Sequence, residues 1–206
     1  VVDDGSTDES SDFLQRAVHQ FGTSLRFVLL NRNQGKAAAL SVGFSEALEL
    51  GADAIVMMDA DMQDDPSEIV GLVSALAPGV DLVTGARDKR QDRLVKRWTS
   101  RLYNAVTRAL TGTPGRDFNS GFKAMRREVA EELLPYLYGE LHRYMTVIAN
   151  WNGFALLDVS VTHRPRLHGQ TKYGLNRFWR GFFDLLTVRF VTSFGLRPSH
   201  FFGGLG

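Results

Sequence analysis

The residues best placed to do chemistry are Asp59 and Asp61, within the run Ile55-Val56-Met57-Met58-Asp59-Ala60-Asp61-Met62-Gln63-Asp64-Asp65-Pro66. A short apolar stretch that ends in carboxylates and a proline reads as a buried strand emerging into a crevice. Open α/β sheets bind ligands at such carboxyl ends. Two carboxylates two residues apart could share one divalent cation, magnesium or manganese by the preference of hard ions for oxygen. The competing reading is an acidic loop that only caps a helix. It accounts for Asp65, because Asp65-Pro66-Ser67-Glu68 has the order of N-cap, first-turn proline and capping-box glutamate. It does not reach Asp59 or Asp61, and spacing alone leaves both readings of that pair open.

Other stretches carry weaker signals of the same kind. At Asp3-Asp4-Gly5-Ser6-Thr7-Asp8 a carboxylate at a strand end could accept hydrogen bonds from a base or ribose. A capped turn, with Ser6 as N-cap and Glu9 as its capping-box partner, is the plainer reading of this stretch by itself. Asn33-Gln34-Gly35-Lys36 puts a glycine and a lysine at a helix start, a position suited to anions. It lacks the upstream glycine of a P-loop, and a solvated helix start is the plainer reading. The segment His163-Arg164-Pro165-Arg166-Leu167-His168-Gly169-Gln170-Thr171-Lys172-Tyr173-Gly174 gathers Arg164, Arg166 and Lys172 in a glycine-containing loop, a flexible clamp for phosphate oxygens. The alternative is a solvated basic loop. His163 and His168 lack the spacing of a metal motif and read as surface or packing residues.

The elements that must position these groups follow from periodicity. Strands are expected at Val1-Val2, Leu25 to Leu30, Ala54 to Met58, Val80 to Thr84 and Phe154 to Thr162. Helices are expected from Ser6 to about Phe21, Lys36 to Leu50, Ser67 to Leu76, Asp92 to Leu110 and Leu141 to Asn150, the last in a second segment that also contains Glu128 to Leu134. Strands alternating with helices predict an α/β fold, a mostly parallel sheet covered on both faces with right-handed crossovers. Thr111 to Gly121 is rich in Gly, Pro, Asp and Asn and separates the two halves. From Phe178 to Phe194, the residues Phe178, Trp179, Phe182, Phe183, Leu186 and Phe190 share one helical face while Arg180, Asp184 and Arg189 lie off it. A core helix would read this way, but so many aromatics beside arginines favour an interfacial helix on a membrane surface.

Composition narrows the classes. The 206 residues are 44% hydrophobic and 23% charged, which suits one globular domain and excludes a disordered chain. A net charge of +1 gives no global reason to bind nucleic acid. The absence of cysteine excludes disulfides, thiolate metal sites and a cysteine nucleophile. No run of eighteen or more apolar residues reads as a membrane span. Both chain ends look cut, so a longer protein with a first strand and a membrane anchor is expected.

Taken in order, Val-Asp-Asp-Gly-Ser-Thr-Asp at 2 to 8, Asn-Gln-Gly-Lys at 33 to 36, Asp-Ala-Asp-Met-Gln-Asp at 59 to 64, Asp-Phe-Asn-Ser-Gly-Phe at 117 to 122 and Arg-Leu-His-Gly-Gln-Thr-Lys-Tyr-Gly at 166 to 174 span nearly the whole chain. This set resembles family 2 glycosyltransferases of the GT-A fold, and within them the polyprenyl-phosphate glycosyltransferases, a group that includes dolichol-phosphate mannosyltransferase. The resemblance implies a GT-A domain over 1–174, truncated at its start, and an amphipathic juxtamembrane segment over 175–206 leading to an anchor. It implies donor contacts from Asp3, Asp4, Ser6, Gly35, Lys36, Asp59 and Gln63, and Mg2+ or Mn2+ held by Asp59 and Asp61. Asp61, Asp117 and Arg166 would be catalytic, with Asp117 on the acceptor side. Arg164, Arg166, Lys172 and Tyr173 would engage phosphates. The family's earlier strand with a Pro-x-Tyr-Asn-Glu-like segment does not precede Val1.

The implied activity is inverting sugar transfer from a UDP- or GDP-linked donor to an undecaprenyl or dolichyl phosphate at the cytoplasmic membrane face. The implied partners are the nucleotide sugar, the lipid phosphate and the membrane surface, with no nucleic acid; an oligomer is left open. Alternatives are a soluble or polysaccharide acceptor, a metal-dependent phosphohydrolase, or a non-catalytic scaffold.

Overall fold

The computed structural model describes residues 1–87, 94–164, 183, 186–188 and 190, with the backbone alone for 94–99. Two strands, β1 (Val2–Asp3) and β2 (Val28–Leu29), pair in parallel, with helix α1 (Ser10–Phe21) between them in sequence. A four-stranded sheet contains β3 (Ala54–Met57), β4 (Leu82–Ala86), β5 (Lys123–Arg126) and β6 (Leu156–Ser160) in the order β3-β5-β4-β6. Because β5 runs antiparallel to both β3 and β4, and β4 pairs parallel with β6, three of the four strands point the same way. The other α-helices delimited among the described residues are α2 (Lys36–Glu49), α3 (Ile69–Ser74), α4 (Leu94–Thr111), α5 (Arg127–Leu133) and α6 (Met145–Trp151).

The alternation of side chains along a strand divides the interior into two cores. On one face Ile55, Met57, Leu82 and Met125 pack with Phe44 of α2, Val129 and Leu133 of α5, and Ile148 of α6. On the other face Val83, Ala124, Phe122 and Val161 pack with Leu72 of α3. Central strand β4 is buried at every position, as expected of a strand covered on both sides. The α/β layering read from the sequence is therefore present.

Strand β5 is the element the sequence reading does not contain. Its four residues, Lys-Ala-Met-Arg, have a cation at each end and show no apolar run, yet Lys123, Ala124 and Met125 are buried. Its antiparallel direction places it between β3 and β4, in register Met57 to Lys123 and Thr84 to Lys123. Among the expected strands, the one at Leu25 to Leu30 shortens to Val28–Leu29 and the one at Val80 to Thr84 lies at Leu82–Ala86.

One expected capping box does not form and a second forms only in part. Helix α1 starts at Ser10, and Ser6 instead donates its N–H to Asp3 Oδ1 at 2.8 Å, so the Ser6–Glu9 capping box does not form. Asp65 caps as expected, accepting from Ser67 N at 3.1 Å ahead of Pro66. Its partner Glu68 turns away and accepts from Thr162 N at 2.9 Å, tying α3 to the exit of β6.

Candidate active site at the carboxyl ends of the strands

The chain leaves β1 into a turn that is held by its own carboxylates. Asp3 accepts from Ser6 N and from Ser11 Oγ, each at 2.8 Å. The bonds from Ser6, with that from Ser11, hold its carboxyl below the usual range against the opposing effect of burial. Asp4 reaches the loop before α2, accepting from Gln34 N at 2.7 Å and Gly35 N at 2.8 Å. Gly5, between them, has φ +72° and a Cβ there would meet Arg32 C at 2.5 Å, so the close approach of these two backbones requires glycine.

This arrangement fixes Lys36, the first residue of α2, over the end of β3. Its Nζ donates to both oxygens of Asp59, at 2.6 Å and 2.9 Å. Behind that carboxylate lies Gly121, where a Cβ would sit 2.6 Å from Asp59 Oδ2 and 2.8 Å from its Cγ. The glycine of the Asp-Phe-Asn-Ser-Gly-Phe segment thus gives Asp59 its place. Asp61 Oδ1 accepts from Gln63 N at 3.2 Å across Met62, which adopts φ +60°, a strained conformation for a side-chain-bearing residue.

The loop after Asp61 is clasped to the segment leaving β6. Asp64 and His163 form a β-bridge, and their side chains approach at 3.3 Å. Arg164 N donates to Gln63 O at 2.8 Å, and Gln63 Nε2 to Arg164 O at 3.1 Å. The Arg164 guanidinium pairs with Asp65. Arg164 and His163 therefore both meet acidic residues of the Asp59–Asp65 loop, which agrees with the packing role read for His163. Arg166, Lys172 and Tyr173, and His168, lie outside the described residues.

Asp117 is buried and bound bidentately by Arg87, with Nε to Oδ2 at 2.6 Å and Nη2 to Oδ1 at 3.0 Å. Although burial opposes its charge, the Asp117 carboxylate holds the Arg87 pKa above its ordinary value. Lys123 lies close by, 1% exposed, with a bond to Thr84 Oγ1 at 3.4 Å. Burial lowers its pKa to about 8, although the Asp117 charge opposes the shift. Arg87, Gly121 and Lys123 were not singled out from sequence. The only sequence signal for Arg87 is its position directly after an apolar strand.

Beside Lys36 opens a cleft of about 530 Å³ lined by residues of the α2 start and by Tyr138, Glu140, His142 and Arg143. Burial, reinforced by the Lys36 and Arg143 cations, lowers the His142 pKa. Among the described residues no group of three or more His, Cys, Asp or Glu side chains is close enough to hold a metal unaided. Asp59 and Asp61 nevertheless suit a magnesium-like ion, which takes one or two carboxylates and completes its shell with substrate phosphates and water. Asp59 already receives a cation at both oxygens.

The family model for glycosyl transferase family 2 matches residues 1–134. The chain belongs to glycosyl transferase family 2. The polypeptide is 37% identical over 206 residues to an undecaprenyl-phosphate 4-deoxy-4-formamido-L-arabinose transferase of Pseudomonas paraeruginosa, covering 99% of this chain and 58% of that one. The similarly named protein of Edwardsiella ictaluri is 34% identical, with 100% and 61% covered. This family 2 chain therefore spans less than two thirds of those relatives' length. Its fold is shared with a glucosyl-3-phosphoglycerate synthase of Mycobacterium tuberculosis solved with Mn2+ and UDP-glucose, at TM-score 0.56 and 22% identity over 93% of this chain and 66% of that one.

Of the last segment, Phe183 and Leu186 are exposed while Val188 is buried in the first core. Among the described residues no helix is long and apolar enough to cross a membrane.

Proposed function

We propose that this chain is the catalytic part of an inverting glycosyltransferase that moves a sugar from a nucleoside diphosphate sugar to a polyprenyl phosphate at the cytoplasmic membrane face. The observation that carries the reading is the convergence of Asp4, Lys36, Asp59 and Gly121 at the strand ends. The names of the relatives support the lipid acceptor, and the exposed Phe183 and Leu186 suit contact with a membrane surface.

Asp59 and Asp61 would hold the divalent ion, Mg2+ or Mn2+, which when bound supplies Lewis-acid neutralisation of the leaving diphosphate. Asp4 orders the loop that presents Gly35 and Lys36 to the donor. Gln63 and Arg164, bonded to one another, keep the loop after Asp61 in place, and Arg166, Lys172 and Tyr173 would follow as phosphate contacts. A phosphate monoester loses its second proton near pH 6, about one unit below neutral, so the acceptor is already a nucleophilic dianion. Asp117, held at both oxygens by Arg87, positions the acceptor side instead of removing a proton.

The test is transfer from labelled UDP- and GDP-sugars to undecaprenyl phosphate with Mn2+. A lipid-linked product, lowered by about two orders of magnitude or more in Asp61→Asn, is expected. Transfer to a water-soluble acceptor at full rate, with none to the lipid, would overturn the acceptor assignment.

A further inference from the structure

Lys36 holds Asp59 where it competes with any divalent ion for the same carboxylate. Both carboxylate oxygens accept from one ammonium, at 2.6 Å and 2.9 Å, and the back of the same carboxylate rests against Gly121. A magnesium-like ion that took one of these oxygens at about 2.1 Å would share the carboxylate with the Lys36 ammonium, and the two cations would repel. Lys36 itself is held at the start of α2 by the Asp4 bonds to Gln34 and Gly35, so only its side chain is free to move.

We propose that Lys36 is an exchangeable counter-ion that occupies Asp59 in the free protein, suppresses binding of the divalent ion alone, and transfers to the donor diphosphate when ion and nucleotide arrive together. The diphosphate supplies the negative charge that lets both cations occupy the site, so the two ligands bind with positive coupling, and by linkage each strengthens the other equally. The device keeps the carboxylate from capturing an ion without donor. It rests on the reading of Asp59 and Asp61 as ion ligands.

The experiment titrates Mn2+ into the full chain, following loss of the free-ion electron paramagnetic resonance signal, with and without UDP. For the wild type, UDP is expected to tighten Mn2+ by about tenfold or more. In Lys36→Met, Mn2+ alone should bind about tenfold tighter than to wild type and UDP should tighten it by a smaller factor than in wild type, while Lys36→Arg keeps the wild-type suppression. The side chain of Lys36 is 40% exposed, so the variants should fold, which far-ultraviolet circular dichroism checks. Mn2+ that binds wild type with UDP, but binds Lys36→Met alone no more tightly, overturns the exchange and leaves the ion site standing. Mn2+ that binds neither protein under any condition, or binds Asp59→Asn as well as wild type, overturns the ion site and the exchange together.

Discussion

Asp117 and Arg87 show how much of this site is settled at single residues. The pair is buried and bidentate, so removing one charge strands the other in a medium that solvates it poorly. Asp117→Asn is expected to destabilise by about 3 kcal/mol or more in urea unfolding. The double variant Asp117→Asn with Arg87→Met should recover part of that loss. Lys123 acts in the opposite sense. Its pKa falls from 10.5 unfolded to about 8 folded, so between those values the unfolded chain binds more protons and stability rises with pH. Below pH 8 both states are charged and the whole burden of burying the ammonium is present, roughly 3 kcal/mol. Lys123→Met should therefore stabilise by roughly 3 kcal/mol at pH 7 and by roughly 1 kcal/mol at pH 9.5. A gain that is the same at both pH values would refute the assignment.

Elements place these residues through a few backbone contacts. The start of α2 has no side-chain cap of its own, and Asp4 performs that service from the end of β1. Asp4→Ala is expected to lower stability by about 1 kcal/mol, the usual effect of a lost cap, and to loosen the Lys36–Asp59 pair. Gly121 belongs to the turn entering β5. A methyl there would meet the Asp59 carboxylate at 2.6 Å, so Gly121→Ala should displace it while the fold persists. If the proposed transfer is what the site performs, its apparent Mn2+ constant should rise about tenfold, because catalysis is sensitive to shifts near 1 Å. An unchanged constant would mean the carboxylate has another way to adjust.

Across the whole molecule, one sheet separates two cores that share strands. Phe44→Ala removes an aromatic ring from the first core and Leu72→Ala a branched chain from the second, each expected to cost about 3 kcal/mol. With the sheet between them and no shared partners, the two losses should add to within about 0.5 kcal/mol. Denaturation followed by near- and far-ultraviolet circular dichroism should show one transition. Two separate transitions would indicate that the cores melt independently.

The layered α/β class, five of the six strands among the described residues in outline and the acidic turn after β3 were legible in the sequence, because apolar periodicity and turn chemistry are local properties. So was Asp65 as a cap, since the cap and its Pro66 are neighbours in the chain. Strand β5 was not, for a four-residue strand with cations at both ends acquires its identity only from the strands on either side. Glu68 satisfied the local capping pattern and still turned to Thr162, a partner 94 residues away. The same limit hid Arg87 behind Asp117 and Gly121 behind Asp59. Residue type and spacing decided which groups could do chemistry here. The tertiary structure alone decided which charges face each other, because ion pairs and backbone approaches depend on separations through space that no periodicity along the chain records.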